Sequence, residues 1–424
     1  MKKTKLLVLS GVAMLLAACG ETSNASGAFA KINIWAPAEE QSTIKAVVDE
    51  WNKTASADQK IEYVFTAVQE GDAGNTLATD PKVKNYPSLV AIADDQLNVL
   101  VTKKIVNALP ATYANAIKAN DESTAVLGAT NGDKIYAFPI TQDNGYFLWY
   151  DSTKISDSEV GSLETILSKA SSSKQFLMAL DNGWYANSIF HAQGVCGVES
   201  LSYSTAADGK TSYNITWDSA EAVAAADAMS KLVGPKYAAN AFISGGNDNI
   251  TAGFTDGTLM AAVSGTWMES LIDTALGEAA KNIKAVKLPT FKVNGTDHQL
   301  GSFFGSKLYV TNAYATVAEQ RTALKLADLL TTKSAQITRF EKRKCVPCNK
   351  EAAADPKVTS NVTKGQKALA AQNAFAAVQS KSAEGRYWPV GEAIGKAIMK
   401  NELPEGKTWS TFLKEQCDIL RKAA

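Results

Sequence analysis

The chain has 424 residues, of which 43 are basic and 43 acidic; 46% are hydrophobic and 20% are charged. This length is far above about 150 residues, so we expect two or three domains, and the composition is that of a globular protein. The balanced charge argues against a nucleic-acid partner, which would need a basic excess, and against long disorder. The histidines are His191 and His298. Two histidines exclude a three-histidine zinc site, and we expect neither a metal nor a cofactor.

Residues 1–18 have the parts of a secretory signal peptide: early lysines, an apolar run at 6–18, and small residues before a break. The run is too short to cross a bilayer, which takes about 20 residues. The tetrad LAAC at 16–19 resembles a bacterial lipobox, which implies cleavage before Cys19 and lipidation of Cys19. A plain secretory signal is the alternative. Residues 19–29 would comprise the lipidated cysteine and a flexible tether, because most residues after Cys19 are small or polar.

The first part of the body alternates strands with helices. Apolar residues at period two, and at the spacing of an amphipathic helix, distinguish the two kinds of element. Strands are expected at 31–35, 61–68 and 86–93, and helices at 39–53 and 95–103. This alternation predicts an α/β fold with a mainly parallel sheet that is covered on both faces.

Two short apolar runs, 135–139 and 145–150, then flank a polar corner at 141–144. A second α/β stretch follows, and after Pro347 the chain is rich in alanine and helical. There is no internal repeat of fixed period. The elements of the second stretch are expected at 175–180, 219–232, 250–253, 258–264, 285–291, 309–310 and 318–330.

Five segments together resemble the family 1 extracellular solute-binding proteins, specifically the maltose/maltodextrin-binding branch of ABC importers. They lie in the same order within about 30–415. The segments are INIWAPAEE (32–40), SLVAIADD (88–95), KIYAFPI (134–140), FTDGTLMAAVSGTW (254–267) and VKLPTF (286–291).

The resemblance implies a two-lobed periplasmic-binding-protein fold of type II, in which discontinuous lobes flank a hinge and an interlobe cleft. A ligand that touches both lobes binds the closed form better than the open one, so it closes the hinge. Crossings between the lobes are expected near 140–146, 287–298 and 343–348. The N-lobe would comprise 30–141 and 297–344, and the C-lobe 142–296 and 345–424.

Pairs of acidic or amide side chains follow several of the expected strands, where the loops of an open α/β sheet meet a cleft. Carboxylates and amides are the groups that bond sugar hydroxyls. For each pair there is a structural alternative: a helix-dipole contact, an N-cap or a turn. The resemblance implies ligand contacts from Glu39, Glu40, Asp95 and Gln96, and from either Asp143 or Asn144.

Aromatic side chains stack on the C–H patches of sugars. Trp184 and Tyr185 follow one strand, Trp267 follows another, and Trp388 lies in a break between two helices. We expect all four to contact the ligand, and Trp267 and Trp388 match stacking positions of the family. Trp35 ends the first strand and is interpreted as either cleft floor or core.

Other aromatic positions argue against a ligand role or limit the specific one. Trp51, Trp217 and Trp409 have helical or turn spacing and are assigned to packing. Ile92 occupies the place of the tryptophan that follows the family's third strand. One stacking surface is therefore missing, which weakens the assignment of maltose.

Four cysteines remain after Cys19, and two of them, at 345 and 348, have the C-x-x-C spacing of redox sites. A thioredoxin-like site needs a strand before this motif, whereas a basic helical stretch at 339–344 precedes it. The spacing does not support a zinc site. A structural disulfide is favoured, with pairing left open among Cys196, Cys345, Cys348 and Cys417.

The sequence has no G-x-S-x-G, H-E-x-x-H or P-loop motif. Carboxylates at 39–40 and 94–95 could act as a glycosidase pair, but the family context favours binding. We therefore expect a monomeric lipoprotein on the extracytoplasmic face of the cell membrane. It would bind a carbohydrate, for which a maltodextrin is the favoured expectation, and pass it unchanged to an ABC permease. The alternatives are a receptor for another oligosaccharide or small polar solute, and a surface enzyme (a glycosidase or thiol oxidoreductase).

Overall fold

The computed structural model describes residues 27–83, 86–206 and 210–423. The predicted signal peptide, Cys19 and most of the tether lie outside these ranges. Within them, no helix combines the length and the apolar character that crossing a bilayer requires.

The strands are short except where they join the two halves of the molecule. In chain order they are β1 (Ile32–Ala36), β2 (Tyr63–Ala67), β3 (Leu89–Ala93), β4 (Thr130–Asn131), β5 (Lys134–Ile135), β6 (Phe138–Gly145), β7 (Phe147–Asp151), β8 (Gln175–Leu177), β9 (Leu201–Thr205), β10 (Thr211–Ile215), β11 (Phe242–Ile243), β12 (Leu259–Ser264), β13 (Ile283–Val286), β14 (Thr290–Val293), β15 (Thr296–Gln299), β16 (Ser302–Thr311) and β17 (Ala376–Val378).

The helices alternate with these strands and dominate the C-terminal part. They are α1 (Gln41–Thr54), α2 (Glu70–Thr79), α3 (Leu97–Thr102), α4 (Ala111–Asn120), α5 (Ser123–Gly128), α6 (Leu163–Lys169), α7 (Gly183–Ala186), α8 (Ala220–Ala238), α9 (Asn247–Thr255), α10 (Met268–Leu276), α11 (Val317–Thr331), α12 (Lys333–Arg343), α13 (Lys350–Ala353), α14 (Pro356–Thr359), α15 (Lys364–Gln372), α16 (Gln379–Ser382), α17 (Tyr387–Lys400) and α18 (Trp409–Arg421).

The first sheet has the strand order β17-β16-β3-β1-β2, and β6 also pairs with β16. β1 is parallel to both β2 and β3, so Ile34 lies opposite Phe65 on one side and Leu89 on the other. Every residue of β3 is buried. Strands that are covered on both faces need apolar side chains on both, which explains the unbroken apolar run of β3. This sheet and the helices around it form the N-lobe.

The second sheet has the order β11-β8-β12-β7-β13 and forms the C-lobe. β8 is parallel to β11 and β12, while β7 is antiparallel to β12 and β13. Alternate side chains of β7 enter different core clusters. Leu148 and Tyr150 pack in one cluster, and Phe147 and Trp149 in the other. The sheet therefore separates two apolar layers.

Two long strands carry the chain between the lobes and make the first sheet less parallel than predicted. β16 is antiparallel to β3 and to β6. The expected polar corner at 141–144 is wrong, because β6 runs unbroken through it and pairs with β16 from Phe138 to Gly145. The interstrand hydrogen bonds supply the partners that a turn would otherwise provide.

The structure moves two of the predicted lobe boundaries. The N-lobe was expected to resume at 297, but β14 and β15 form a hairpin whose Phe291 and Val293 pack in the C-lobe core. The crossing is instead made by β16. The C-lobe was expected from 345, but Ala352 and Val358 pack against α12 of the N-lobe. Local apolar contacts, rather than the end of a helix, determine where each lobe stops.

A buried ionic cluster fixes the start of α1 to α12. Glu40 is 1% exposed and accepts hydrogen bonds from Arg339 Nε (2.8 Å), from Tyr309 Oη (3.1 Å) and from Arg343. The two arginines are four residues apart, so they share one face of α12. Burial would raise the pKa of Glu40, but the two guanidinium groups outweigh it and lower that pKa to about 2. Glu40 is therefore a structural anion and not a cleft residue.

Replacing Glu40 is expected to destabilise the N-lobe strongly. Glu40→Ala leaves two buried guanidinium groups without their carboxylate, which costs about 3–5 kcal/mol of unfolding free energy. Urea unfolding followed by circular dichroism measures the loss. Asp49→Ala is the control, because the Asp49–Lys45 pair on the same helix is exposed and contributes less than about 1 kcal/mol. Equal effects of the two substitutions would contradict this role for Glu40.

Candidate functional site

A cleft of about 570 Å³ lies between the two lobes. Its walls include the loops that follow β1, β2 and β3 on one side and β8, β11 and β12 on the other, and residues of β6, β16, α16 and α17 complete the lining. Parallel strands end at the same edge of a sheet, so each sheet delivers three loops to the gap. Of the ten residues predicted to contact a ligand, the cleft is lined by Glu39, Asp95, Gln96, Asn144, Trp184, Tyr185, Trp267 and Trp388.

Asp95 is the most constrained acid of the cleft. It is 6% exposed, and its Oδ1 accepts a hydrogen bond from Gln379 Nε2 at 2.6 Å. The Trp388 side chain also stabilises the charged form of Asp95. Burial raises the pKa of Asp95 to about 6, although both of these contacts favour the charged form. Asp95 thus connects the end of β3 in the N-lobe to Gln379 at the start of α16.

The neighbouring acid, Asp94, faces away from the cleft. Its Oδ2 accepts from the Ser306 backbone N–H at 3.1 Å, which joins β3 to the crossing strand β16. Burial and the charge of Asp95 together raise the pKa of Asp94 well above its usual range. Asp95 therefore lines the cleft, whereas Asp94 bonds to the crossing strand at the hinge.

Gln96 lines the cleft, but its side-chain oxygen and nitrogen are both hydrogen-bonded to backbone groups of the protein. Its Oε1 accepts from the Gly74 N–H (2.6 Å), and its Nε2 donates to the carbonyls of Glu70 (2.9 Å) and Gly71 (2.6 Å). These bonds hold the start of α2 beside the cleft. Gln96 is therefore placed to position the 70–74 segment.

The alternation of side chains along β6 separates Asp143 from Asn144. Asn144 points into the cleft and donates to Gln379 Oε1 at 3.3 Å. Asp143 is fully buried behind it, where Oδ2 accepts from Thr266 Oγ1 and from the Val346 N–H, both at 3.0 Å. Asp143 does not line the cleft and instead ties together three chain segments at the hinge.

Four aromatic rings face the cleft from the C-lobe. The ring centroids of Trp184 and Trp267 are 5.8 Å apart, and those of Trp184 and Tyr185 are 5.0 Å apart. Trp267 Nε1 donates to Asn247 Oδ1 at 3.0 Å, which fixes its ring plane. Trp388 packs against the C-lobe core with its ring centroid 5.0 Å from that of Tyr387. All three tryptophans are partly exposed, as a stacking surface requires.

The remaining tryptophans lie outside the cleft lining. Trp35 is 8% exposed and belongs to the N-lobe core cluster, which decides between its two interpretations in favour of core. Trp217 is fully buried and Trp409 nearly so, whereas Trp51 packs at the edge of the N-lobe core.

Sequence reasoning missed several residues of the cleft. Gln379 is one of them: besides its bonds to Asp95 and Asn144, it accepts from Trp184 Nε1 at 2.6 Å. It lies in a stretch assigned to helix alone, and only β17 and α16 bring it to the cleft. Glu70 and Asp72 follow β2, so the same rule that found Asp95 could have found them. Lys307 lies inside β16, and no local signal marked it.

The sequence matches the model of the bacterial extracellular solute-binding proteins over residues 46–366. The chain belongs to this family. Solute-binding proteins of this family act outside the cytoplasm, which agrees with the predicted export of this chain. No curated protein matches it.

Solved structures of similar fold cover almost all of this solute-binding protein. A chain solved with acarbose is 25% identical, with a TM-score of 0.75, and the match covers 93% of this chain and 99% of that one. The maltodextrin-binding protein MalE1 from L. casei BL23 is 19% identical, with a TM-score of 0.69 and the same coverage. The maltose-maltodextrin-binding protein of Alicyclobacillus acidocaldarius is 17% identical, with a TM-score of 0.71 and coverage of 93% and 100%. The predicted two-lobed fold is therefore confirmed.

The cysteines of this solute-binding protein are free thiols in the described ranges, in contrast to the favoured disulfide. Cys348 Sγ accepts from Gln336 Nε2 at 3.2 Å, and Cys345 Sγ is directed at the Arg343 carbonyl. Cys196 and Cys417 are located in the C-lobe, where Cys196 Sγ is directed at the Thr216 carbonyl and Cys417 packs in the apolar core. Burial raises the pKa of Cys345 to about 12, which does not favour the thiolate that redox exchange needs.

The two histidines and the acids of the described residues offer no metal site. No group of three or more histidine, cysteine or acidic side chains in these ranges is arranged to hold a metal ion. His191 is 1% exposed, and burial lowers its pKa to about 4.

Asp95 is expected to make the stability of this solute-binding protein depend on pH. Because its pKa is raised in the folded state, the folded protein binds this proton more tightly than the unfolded chain. Stability is therefore lost as the pH rises from about 4 through 6. Asp95→Asn removes this loss, so the unfolding free energy of the variant should gain about 1–3 kcal/mol relative to wild type between about pH 4 and pH 7.

Urea unfolding of both proteins at each pH measures this difference. Groups that do not feel Asp95 cancel on subtraction, whereas Asp94 contributes to the difference because the charge of Asp95 helps to raise its pKa. The amide oxygen that the substitution introduces can still accept from Gln379 Nε2. Asp133→Asn, at an exposed position, is the control and should stay within about 0.5 kcal/mol of wild type throughout. A difference for Asp95→Asn that does not change with pH would contradict the raised pKa.

Proposed function

We propose that this protein is a membrane-anchored receptor that binds an oligosaccharide of the maltodextrin kind and delivers it to an ABC importer. The observation that carries the proposal is the cleft itself, where three tryptophan rings of the C-lobe face the carboxylates of the N-lobe. A sugar needs both surfaces, because its C–H patches stack on rings while its hydroxyls bond to charged acceptors.

Contacts between the lobes support binding by hinge closure. Gln379 donates to Asp95 of the N-lobe and accepts from Trp184 of the C-lobe, and Lys307 Nζ of β16 lies 5.2 Å from the ring centroid of Trp267. A ligand in the gap would touch the same groups from both sides. It therefore binds the closed form better than the open one and shifts the population toward closure.

The similar structures support the choice of ligand class. They include a chain solved with acarbose, maltodextrin-binding proteins, and a Thermus thermophilus protein bound with maltotriose. We propose direct contacts to the sugar from Glu39, Asp95, Asn144, Trp184, Tyr185, Trp267 and Trp388. The bound sugar leaves chemically unchanged, and the protein acts as a monomer toward the permease.

Calorimetric titration tests the proposed ligand class. Maltose, maltotriose and maltotetraose are expected to release heat on binding, whereas unrelated sugars of the same sizes are not. Chromatography of the recovered glycan should give the input sugar alone. Absence of heat with every α-glucan would refute the maltodextrin assignment, and shorter products would favour the glycosidase alternative.

The tryptophans are expected to supply a large part of the affinity. Trp267→Ala and Trp388→Ala should each weaken maltotriose binding by about 1–3 kcal/mol, which corresponds to roughly 5- to 150-fold in Kd. Trp51→Ala is the matched control, since Trp51 lies on α1 outside the cleft lining. If both cleft variants bound as tightly as wild type, the assignment of the binding surface would be wrong.

The membrane anchor is proposed on the lipobox resemblance alone. In the full-length protein expressed in a bacterium, Cys19→Ser should abolish lipid labelling and move the protein from the membrane fraction to the soluble one. More than one acyl chain on Cys19 is needed for stable anchoring, so loss of the acylated thiol removes it. Membrane retention of the variant without label would point to another anchor.

A further inference from the structure

Six carboxylates line the cleft against a single lysine. Lys307 lies 4.0 Å from Glu70, at ion-pair distance. The carboxylates are Glu39, Glu70, Asp72, Asp95, Asp181 and Glu392.

Three of these carboxylates are paired with cations. Besides Glu70, Glu39 lies 3.4 Å from Arg343, and Glu392 pairs with Lys396 on α17. Arg343 and Arg339 together balance Glu39 and Glu40, so that cluster carries no surplus positive charge into the cleft.

The other three carboxylates, Asp72, Asp95 and Asp181, have no ion pair in the described ranges. Asp95 accepts from neutral donors, and Asp181 accepts from Ser244 Oγ. Lys396 feels Asp181 only through a longer-range attraction. Because Asp72 and Asp95 lie on the N-lobe wall and Asp181 on the C-lobe wall, a ligand between them meets negative charge from both sides.

The aromatic wall adds to the same preference. Asp181 lies three residues before Trp184, in the turn that leads into α7, and both residues line the cleft. The face of an indole ring attracts cations, as Lys307 already illustrates at Trp267. Low-dielectric walls also concentrate the field inside a cleft, which strengthens selection by charge.

We propose that this cleft discriminates sugars by charge, favouring oligosaccharides that carry a protonated amine and rejecting those that carry a carboxylate or phosphate. This inference rests on the proposed function and deepens it, since it names the charge class of the ligand. The three unpaired acids Asp72, Asp95 and Asp181 set the preference.

Three derivatives of maltotriose that differ only at carbon 1 of the reducing end test the proposal. They are the amine (1-amino-1-deoxy-maltotriitol), the alcohol (maltotriitol) and the acid (maltotrionate). Calorimetry on the full-length protein should show the tightest binding for the amine, weaker binding for the alcohol and the weakest for the acid. At low salt, the Kd of the acid should be at least about 5-fold that of the amine. The ratio should shrink as salt rises from about 0.01 to 1 M, where the Debye length falls from about 30 to 3 Å.

A double variant tests whether Asp72 and Asp181 cause the preference for the amine. Asp72→Asn/Asp181→Asn should reduce the amine-to-acid ratio by at least about 3-fold, whereas the exposed control Asp49→Asn should leave it at the wild-type value. The ratio is measured within each protein, so a general loss of affinity does not change it.

The outcomes separate this inference from the function on which it rests. If maltotriose binds but all three derivatives bind equally, the charge preference is overturned and the receptor function stands. The same holds if the ratio is insensitive to salt. If neither maltotriose nor any derivative binds, the maltodextrin assignment itself fails.

Discussion

The directions of the strands constrain everything in the cleft. Parallel strands end at one edge, so the loops after β1, β2 and β3 meet in the N-lobe and those after β8, β11 and β12 meet in the C-lobe. β6 and β16 then turn the two edges toward each other across the hinge. A chain with no unusual composition thereby gathers four acids on the N-lobe wall and the indole rings on the C-lobe wall, where Asp181 and Glu392 also lie.

The side chains that join the two walls, Asp95, Asn144 and Gln379, are polar and buried. Each therefore needs a hydrogen-bond partner within the protein. Gln379 donates to Asp95 and accepts from Asn144 and Trp184, so one amide satisfies three side chains. An unpaired polar group in such a place would cost about 1–3 kcal/mol. Under the function that we propose, a sugar hydroxyl would exchange for one of these partners.

Local patterns identified which segments carry the cleft but not always which side chain faces it. Glu39 and Glu40 look alike in sequence, yet the arginines of α12 bind Glu40 and leave Glu39 at the cleft. A turn at 141–144 would not distinguish Asp143 from Asn144, whereas the strand observed there forces neighbouring side chains to opposite sides. Gln379 and Lys307 carried no signal, since their partners lie far away in the sequence.

The sequence by itself determined the α/β alternation, the order of the segments that resemble solute-binding proteins, and the aromatic and acidic loops after the strands. These features depend on local periodicity and on residue type, which a single chain displays directly. The tertiary structure alone decided the lobe boundaries, the free state of the cysteines and the choice within each acidic pair. Each of those depends on a contact between residues distant in the chain, and such contacts exist only once both lobes have packed.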